Sequence, residues 1–217
     1  MGTKYPRTPH LPWSPGGTND DRRLTSVEHL LDKPLVITEK MDGSNVCLQH
    51  DAVYARSHSS VPKHPSFNML KALHARVKYH IPKGIQIFGE WLFAEHSIHY
   101  EMLPGYLMIF GVRDLEYPAW LGWDTVQLWA EELGIHTVPV LGHGPAASEE
   151  ELRSIVGRAL QQPLLFGKER EGCVVRLFDD YKDKYFERSI AKYVRAGHIQ
   201  TDEHWTTKEV VRNGLRT

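Results

Sequence analysis

The chain has 217 residues, of which 41% are hydrophobic and 24% are charged, and its formal net charge is −1. This composition indicates a folded domain with one sizeable core and excludes a uniformly basic nucleic-acid binder. No apolar run approaches about 18 residues and no secretory signal is apparent, so we expect no membrane span and a cytoplasmic location. The two cysteines, Cys47 and Cys173, form no C-x-x-C pair, which argues against a disulfide framework.

Hydrophobic periodicity and turn residues predict a strand-rich α+β fold. Residues 1–23, rich in Pro and Gly, are predicted to be an irregular lead-in, and residues 24–217 a single domain. Strands are predicted, in chain order, over residues 34–39, 46–50, 52–57, 85–93, 106–112, 135–141, 172–178 and 185–194. Helices are predicted from a cap at Ser66 to Val77, from a cap at Asp124 to Leu133, from a capping box at Ser148 to about Gln161, and near Thr207.

The most informative motif is EKMDGSN, residues 39–45, which follows the first predicted strand. Lys40 then lies at a strand-to-turn junction, with the carboxylate of Asp42 and the amide of Asn45 close by in sequence. Gly43 allows a close approach of the backbone to a ligand. Such a lysine is usually a surface turn residue, but in an enzyme it would carry a group covalently on nitrogen.

Four later segments each place a charged or aromatic side chain at the edge of a predicted strand. Glu90 follows a glycine inside an apolar strand, where a carboxylate needs a partner such as a ribose hydroxyl or a cation. Phe110 offers an aromatic face for a base, and Glu171 precedes a strand. Lys192 lies on the last predicted strand, where it could hold a phosphate. Taken singly, each of these residues has an ordinary role in the core or at the surface.

The stretch from residue 52 to residue 89 contains no acidic residue. Clustered cations without acids are a candidate phosphate-binding surface, although an ordinary solvated helix face would look the same. The cations predicted to contact nucleic acid are Lys63, Lys71, Arg76 and Lys78, together with Arg195 near the C-terminus.

The order of Lys40-x-Asp-Gly, Arg56, Glu90, Phe110, Glu171-Gly and Lys192 resembles the motif series of the covalent nucleotidyltransferase superfamily. That superfamily contains ATP-dependent DNA ligases, RNA ligases and mRNA capping enzymes. Asn45 and residues 89–100, GEWLFAEHSIHY, resemble the ATP-dependent RNA ligase family most. The resemblance covers about residues 35–195 and implies a two-sheet nucleotidyltransferase core of mostly antiparallel sheets with flanking helices.

The resemblance implies a role for each matching residue. Lys40 would attack the α-phosphate of ATP and become lysyl-AMP, and Glu171 would hold a divalent metal, Mg²⁺ or Mn²⁺. The nucleotide would also contact Glu39 beside the adenine, Asp42 and Gly43 in the loop, Asn45 near the phosphate, Arg56 at the ribose or phosphate, Glu90 at the ribose hydroxyls, Phe110 stacked on the adenine, and Lys192 at the α-phosphate.

Lysine chemistry sets a condition on this site. A free lysine has a pKa of about 10.4, so a nucleophile active near neutrality needs its pKa lowered by roughly three pH units, or about 4 kcal/mol. Nearby cations, namely Arg56, Lys192 and Mg²⁺, together with partial burial, are expected to provide this.

One motif departs from the family pattern, because Val194 stands where the closing K-x-K motif has its second lysine. Arg195 is expected to face the other side of the strand, so Lys184, Arg188 or Arg195 would have to compensate. His96 and His99 are an alternative metal pair at i, i+3, but no third ligand is at hand.

The sequence thus predicts an ATP-dependent RNA ligase that joins an RNA 5′-phosphate to a 3′-hydroxyl. No residues after Thr217 provide an OB-fold domain, which favours a minimal ligase or one that needs a partner subunit. The alternatives are a DNA nick ligase, a capping-type nucleotidyltransferase that uses GTP, and a nucleotide- or nucleic-acid-binding module without catalysis.

Overall fold

The computed structural model describes residues 4–17, 21–56, 60–198 and 210–216, and its strands form two sheets. The strands are β1 Leu35–Lys40, β2 Ser44–Leu48, β3 Val53–Ala55, β4 Ile85–Trp91, β5 Leu107–Asp114, β6 Ala119–Trp120, β7 His136–Thr137, β8 Val140–His143, β9 Gly172–Leu177, β10 Tyr181–Lys182 and β11 Ile190–Val194. The α-helices are α1 Asn68–Val77, α2 Trp123–Leu133, α3 Glu149–Leu160 and α4 Phe186–Ser189. Short 3-10 helices cover Glu28–Leu30, Pro65–Phe67, Lys78–His80 and Asp183–Tyr185.

The small sheet has the strand order β11-β9-β1-β8, and the large sheet has the order β10-β6-β5-β4-β2-β3. All these neighbours pair antiparallel, and β7 joins β5 in parallel at the side of the large sheet. The predicted two-sheet α+β class with flanking helices is therefore confirmed.

The helices pack on the outer faces of the sheets. Val46 and Ile87 of the large sheet share a buried cluster with Leu70 of α1, and Ile37 of the small sheet shares one with Leu152 of α3. Because side chains alternate along a strand, their neighbours point inward, and a third cluster joins the two inner faces. The space between these inner faces is called the groove below.

Most predicted elements are confirmed, with three corrections. Residues 135–141 do not form one strand: Pro139, which has no N–H to donate, separates β7 in the large sheet from β8 in the small sheet. The start of the predicted strand 185–194 is the helical turn α4. The caps also differ, since Gly122 precedes α2 in place of Asp124 and Ser66 lies inside a 3-10 turn, whereas Ser148 caps α3 as predicted.

The described part of the N-terminal lead-in is irregular but is hydrogen-bonded to the edge of the small sheet. Backbone hydrogen bonds join Leu11 and Pro9 to Lys192, and the N–H of Gly16 to the carbonyl of Val194. Leu11 is fully buried. These contacts cover the free edge of β11, so the lead-in positions the closing strand.

Two further expectations concern a helix near the C-terminus and the absence of a membrane span. Thr207, where a last helix is predicted to begin, lies outside the described residues, and residues 210–216 contain no helix. Among the described residues, no helix has both the length and the apolar character needed to cross a membrane.

Candidate active site

The groove brings the ends of several strands together around Lys40. Lys40 is the last residue of β1 and pairs with Gly172, the first residue of β9. Residues 41–43 then carry the chain from the small sheet to the large sheet, where Asn45 pairs with Glu90. The loop that directly follows the nucleophile candidate is thus the connection between the two sheets, and side chains from both converge on it.

Lys40 forms a short ion pair with Glu171. Its Nζ donates a hydrogen bond of 2.6 Å to Glu171 Oε2, and the Glu171 side chain is only 3% exposed. Burial by itself would lower the pKa of Lys40, but the carboxylates of Glu171, Glu90 and Asp42 outweigh it and raise that pKa. The predicted lowering of the Lys40 pKa is therefore wrong for the protein alone, because the charges nearest to the amine are those of acids.

Asp42 is held in one orientation by backbone donors of the loop after β4. Its Oδ2 accepts hydrogen bonds from Ser97 N, Ser97 Oγ and Ile98 N at 2.8 to 2.9 Å. The N–H of Asp42 donates to the hydroxyl of Tyr100 at 2.9 Å. The stretch of residues 89–100 therefore supports the Asp-Gly loop, and it leaves Asp42 Oδ1 directed elsewhere.

Glu90 is a half-buried acid whose charge interacts with that of Lys40. Burial raises its pKa to about 8, while the charge of Lys40 and a hydrogen bond from the Gly43 backbone oppose that rise. Gly43 itself has no room for a side chain, because a Cβ there would lie 2.7 Å from the carbonyl oxygen of Trp91. The backbone that lies close to Gly43 is thus that of Trp91 in the protein itself. The neighbouring Asn45 Oδ1 is buried without a hydrogen-bond partner among the described residues.

Phe110 lies half-buried on the inner face of the large sheet, where it shares a cluster with Val174 of the small sheet. The ring of Tyr5, from the lead-in, meets the Phe110 ring edge-on at 5.2 Å. Tyr5 also contacts the rings of Phe88 and Trp120. This aromatic wall includes a lead-in residue that the sequence motifs did not indicate.

Lys192 also faces the groove, in register with Val174. Burial lowers its pKa, and Asp21, with Oδ1 at 3.4 Å from Nζ, opposes that change. Val194 lies on the same face and is buried against Gly16. A valine side chain thus occupies the position of the second lysine of the closing motif.

The three cations considered as substitutes for that lysine lie elsewhere. Arg195 points outward and pairs with Glu169 at the surface, as its strand position predicts. Lys184 lies over the ring of Tyr185, and Arg188 is exposed on α4. None of the three is placed on the inner face of β11.

The cations predicted to contact RNA do not line the groove. Lys71 and Arg76 belong to α1, on the outer face of the large sheet, and Lys78 follows that helix. Lys63 is exposed before α1, and Arg56, predicted to contact the ribose or phosphate of the nucleotide, is likewise exposed, just beyond β3. The physical reason is alternation along β2 and β4, whose outward side chains pack on α1 while Asn45 and Glu90 point inward.

Glu39 is placed on the other side of the small sheet from Lys40. Its Oε2 accepts a hydrogen bond of 3.1 Å from Arg170, and both side chains are at most 5% exposed. Arg170 also donates to the carbonyls of Leu160, Gln162 and Pro163. The side chain of Glu39 is therefore not positioned to contact an adenine in the groove, because adjacent residues of a strand face opposite sides.

Replacing Glu39 with glutamine is expected to lower the free energy of unfolding by about 3 kcal/mol, because it leaves the Arg170 guanidinium buried without its counterion. Urea unfolding measures this. Glu149→Gln is the control: it breaks an exposed pair with Arg153, which should cost less than about 1 kcal/mol. Equal effects of the two changes on stability, or a weakened affinity for ATP with unchanged stability, would contradict the assignment of Glu39 to a buried ion pair with Arg170.

A group of side chains that could hold a metal ion contains Glu171, the predicted ligand, and not the alternative pair of His96 and His99. His99 pairs with Glu95, and His96 contacts Ser44. Within the described residues, the group with metal-ligating spacing is Asp42, Glu171 and His198, whose ligand atoms all lie within 4.8 Å of one another. His198 follows the last recognisable motif, and no sequence signal pointed to it.

Comparisons with known proteins agree with this geometry. The family model described as RNA ligase matches residues 33–194. No curated protein sequence matches the chain. Similar solved structures include an archaeal ATP-dependent RNA ligase, with a TM-score of 0.56 and 18% identity over 88% of this chain and 48% of that one. Others are an apo mutant of the Naegleria gruberi RNA ligase, with a TM-score of 0.53 and 16% identity over 78% and 51% of the two chains, and a putative ATP-dependent DNA ligase from Aquifex aeolicus, with a TM-score of 0.53 and 20% identity over 88% and 50%.

The chain thus spans about half the length of these structures. At these identities the structural likeness concerns the fold, and the family model is the independent sequence match. Because that model covers most of the chain and the matched range contains Lys40, Glu90, Glu171 and Lys192, this chain belongs to the RNA ligase family.

Proposed function

We propose that this chain is the adenylyltransferase part of an ATP-dependent RNA ligase and that Lys40 is its nucleophile. The observation that carries this proposal is the position of Lys40 in the groove. Its amine touches Glu171, and its charge interacts with Glu90 and with Lys192. A surface turn lysine would have none of these neighbours.

The first step forms one bond and breaks one. The neutral Nζ of Lys40 attacks the α-phosphorus of ATP, the bond from that phosphorus to the bridging oxygen breaks, and pyrophosphate leaves with the electron pair. The nitrogen loses a proton to solvent water as the phosphoramidate forms. Lys192, on the same face of the groove, would stabilise the charge that develops on the α-phosphate.

Asp42 and Glu171 would hold a divalent cation, since Asp42 Oδ1 and Glu171 Oε1 both face one point near His198. When bound, such an ion would neutralise these carboxylates, which raise the pKa of Lys40, and would compensate phosphate charge. Oxygen-rich ligands of this kind fit Mg²⁺ or Mn²⁺.

The remaining groove residues would bind the nucleotide. Glu90 would accept hydrogen bonds from the ribose hydroxyls, and the face of Phe110 would stack on the adenine across from Val174. Asn45 has a buried oxygen without a partner among the described residues, which a bound hydroxyl or a water would satisfy. Arg56 is the weakest of the proposed nucleotide contacts, because it is exposed at the end of β3.

In the following steps, a 5′-phosphate oxygen of RNA attacks the phosphorus of lysyl-AMP and releases Lys40. The 3′-hydroxyl of a second end then attacks the activated 5′-phosphorus, and AMP leaves. The cations Lys63, Lys71, Arg76, Lys78 and Arg195 would contact RNA outside the groove, and a further domain or partner subunit would hold the remainder. DNA nick sealing is the second candidate, because a putative DNA ligase has a similar fold.

A labelling assay tests the proposal. The protein is incubated with a divalent cation and ATP labelled in the α-phosphate, and then chased with nicked RNA or nicked DNA duplexes. We expect covalent label on the protein that unlabelled ATP competes away better than GTP, and that passes to RNA ends. Preferential competition by GTP would indicate a capping-type enzyme, preferential transfer to DNA a DNA ligase, and no label at all a binding module without catalysis.

A further inference from the structure

His198 is buried beside the two carboxylates of the candidate site. Its side chain is 4% exposed, and its Nε2 lies 3.4 Å from Glu171 Oε1 and 4.0 Å from Asp42 Oδ1. The residue comes four positions after the end of β11. It therefore reaches the site from a segment that follows all the matched motifs.

The other contacts of the two carboxylates leave one oxygen of each for His198. Asp42 Oδ2 accepts three hydrogen bonds, from Ser97 N, Ser97 Oγ and Ile98 N. Glu171 Oε2 accepts from Lys40. The oxygens that remain are Asp42 Oδ1 and Glu171 Oε1, so two oxygens and one nitrogen converge from three separate segments.

Internal hydrogen bonding does not explain why this imidazole is buried. Its Nδ1 has no hydrogen-bond partner among the described residues, and its Nε2 has only long contacts, of 3.4 Å with Glu171 Oε1 and 3.5 Å with Ser97 Oγ. By contrast, the buried ring of His74 bonds to the carbonyl of Gln49 at 2.6 Å. Contacts as long as those of His198 leave its buried Nε2 poorly satisfied, which is unfavourable and points to a ligand between His198 Nε2 and the carboxylates.

We propose that His198 is a direct nitrogen ligand of the divalent cation, together with Asp42 and Glu171, and that it shifts the site toward first-row transition metals over Mg²⁺. Bond lengths of roughly 2.0–2.2 Å place two opposite ligand atoms about 4 Å apart, close to the spacing of up to 4.8 Å among these atoms. Imidazole binds transition metals better than it binds Mg²⁺. This inference refines the proposed site and rests on the proposed function for its role in catalysis.

Mn²⁺ binding without ATP tests the ligand directly. The full chain is freed of metal with a chelator and titrated with Mn²⁺, and free Mn²⁺ is measured by electron paramagnetic resonance. We expect about one bound ion per chain at this site and, for His198→Ala, a loss of affinity of at least about tenfold. Mg²⁺ affinity, measured by competition, should change much less. His99→Ala is the matched control, because His99 pairs with Glu95 at the surface, and it should bind Mn²⁺ as the wild type does.

Pulsed electron paramagnetic resonance of bound Mn²⁺ supplies a readout that needs no variant. The wild type should show modulation from a directly bound ¹⁴N nucleus, absent in His198→Ala and retained in His99→Ala. Absence of ¹⁴N modulation in the wild type, or equal losses of Mn²⁺ and Mg²⁺ affinity in His198→Ala, would overturn the assignment. If ¹⁴N coupling is present but ATP labels no protein, the metal ligand stands and the proposed function fails.

Discussion

Replacing Lys40 with alanine is expected to abolish AMP transfer to the protein. Without the amine, no side chain on the inner face of β1 can form the phosphoramidate, since Thr38 is the neighbouring inward residue of that strand. Lys40→Arg should fail as well, because a guanidinium stays protonated at all accessible pH values. The measurement is covalent label from α-labelled ATP, with the intact mass of the protein as a second readout.

Two comparisons separate loss of the nucleophile from loss of the fold. Lys83→Ala removes an exposed lysine two residues before β4 and should label like the wild type. RNA that already carries AMP on its 5′-phosphate bypasses the lysine, so Lys40→Ala should still seal it at a measurable rate. Labelled Lys40→Ala protein would show that another residue is the nucleophile.

The convergence of Lys40, Glu171 and Lys192 was predictable from sequence because these residues lie at or near strand ends. Lys40 ends β1, Glu171 precedes β9, and Lys192 lies two residues before the end of β11. Antiparallel pairing of β1 and β11 with β9 brings these positions to the same end of the small sheet. Alternation along β11 also correctly predicted that Arg195 faces away from the groove.

What the sequence did not predict are contacts between distant segments. Tyr5 precedes the matched region and His198 follows it. Neither residue belongs to a motif, so only the folded chain shows that they reach the groove. The resemblance implies a place for Glu39 beside the adenine, yet the side chain is buried in an ion pair with Arg170, 131 positions away in the chain. The raised pKa of Lys40 likewise results from acids that three different segments contribute.

Replacing Gly172 with alanine is expected to separate the closing strand from the site. A Cβ at this position would lie 1.9 Å from the carbonyl oxygen of Tyr193 and 3.1 Å from the Cα of Val194. Both atoms belong to the backbone of β11, so no side-chain rotation relieves the clash, and β9 and β11 must move apart. We expect the free energy of unfolding to fall by about 3 kcal/mol.

The same displacement should reduce AMP transfer at temperatures where the variant is still folded. Lys192 is carried by β11, and a shift of about 1 Å in a catalytic group lowers a rate by roughly 100-fold. Gly157→Ala is the control: Gly157 lies within α3, where an added Cβ would meet no neighbouring atom within 4 Å, and alanine there should stabilise the helix by up to about 1 kcal/mol. If Gly172→Ala unfolds and labels like the wild type, the packing of β11 against β9 does not determine where Lys192 lies, and the assignment of Lys192 to the α-phosphate loses its structural basis.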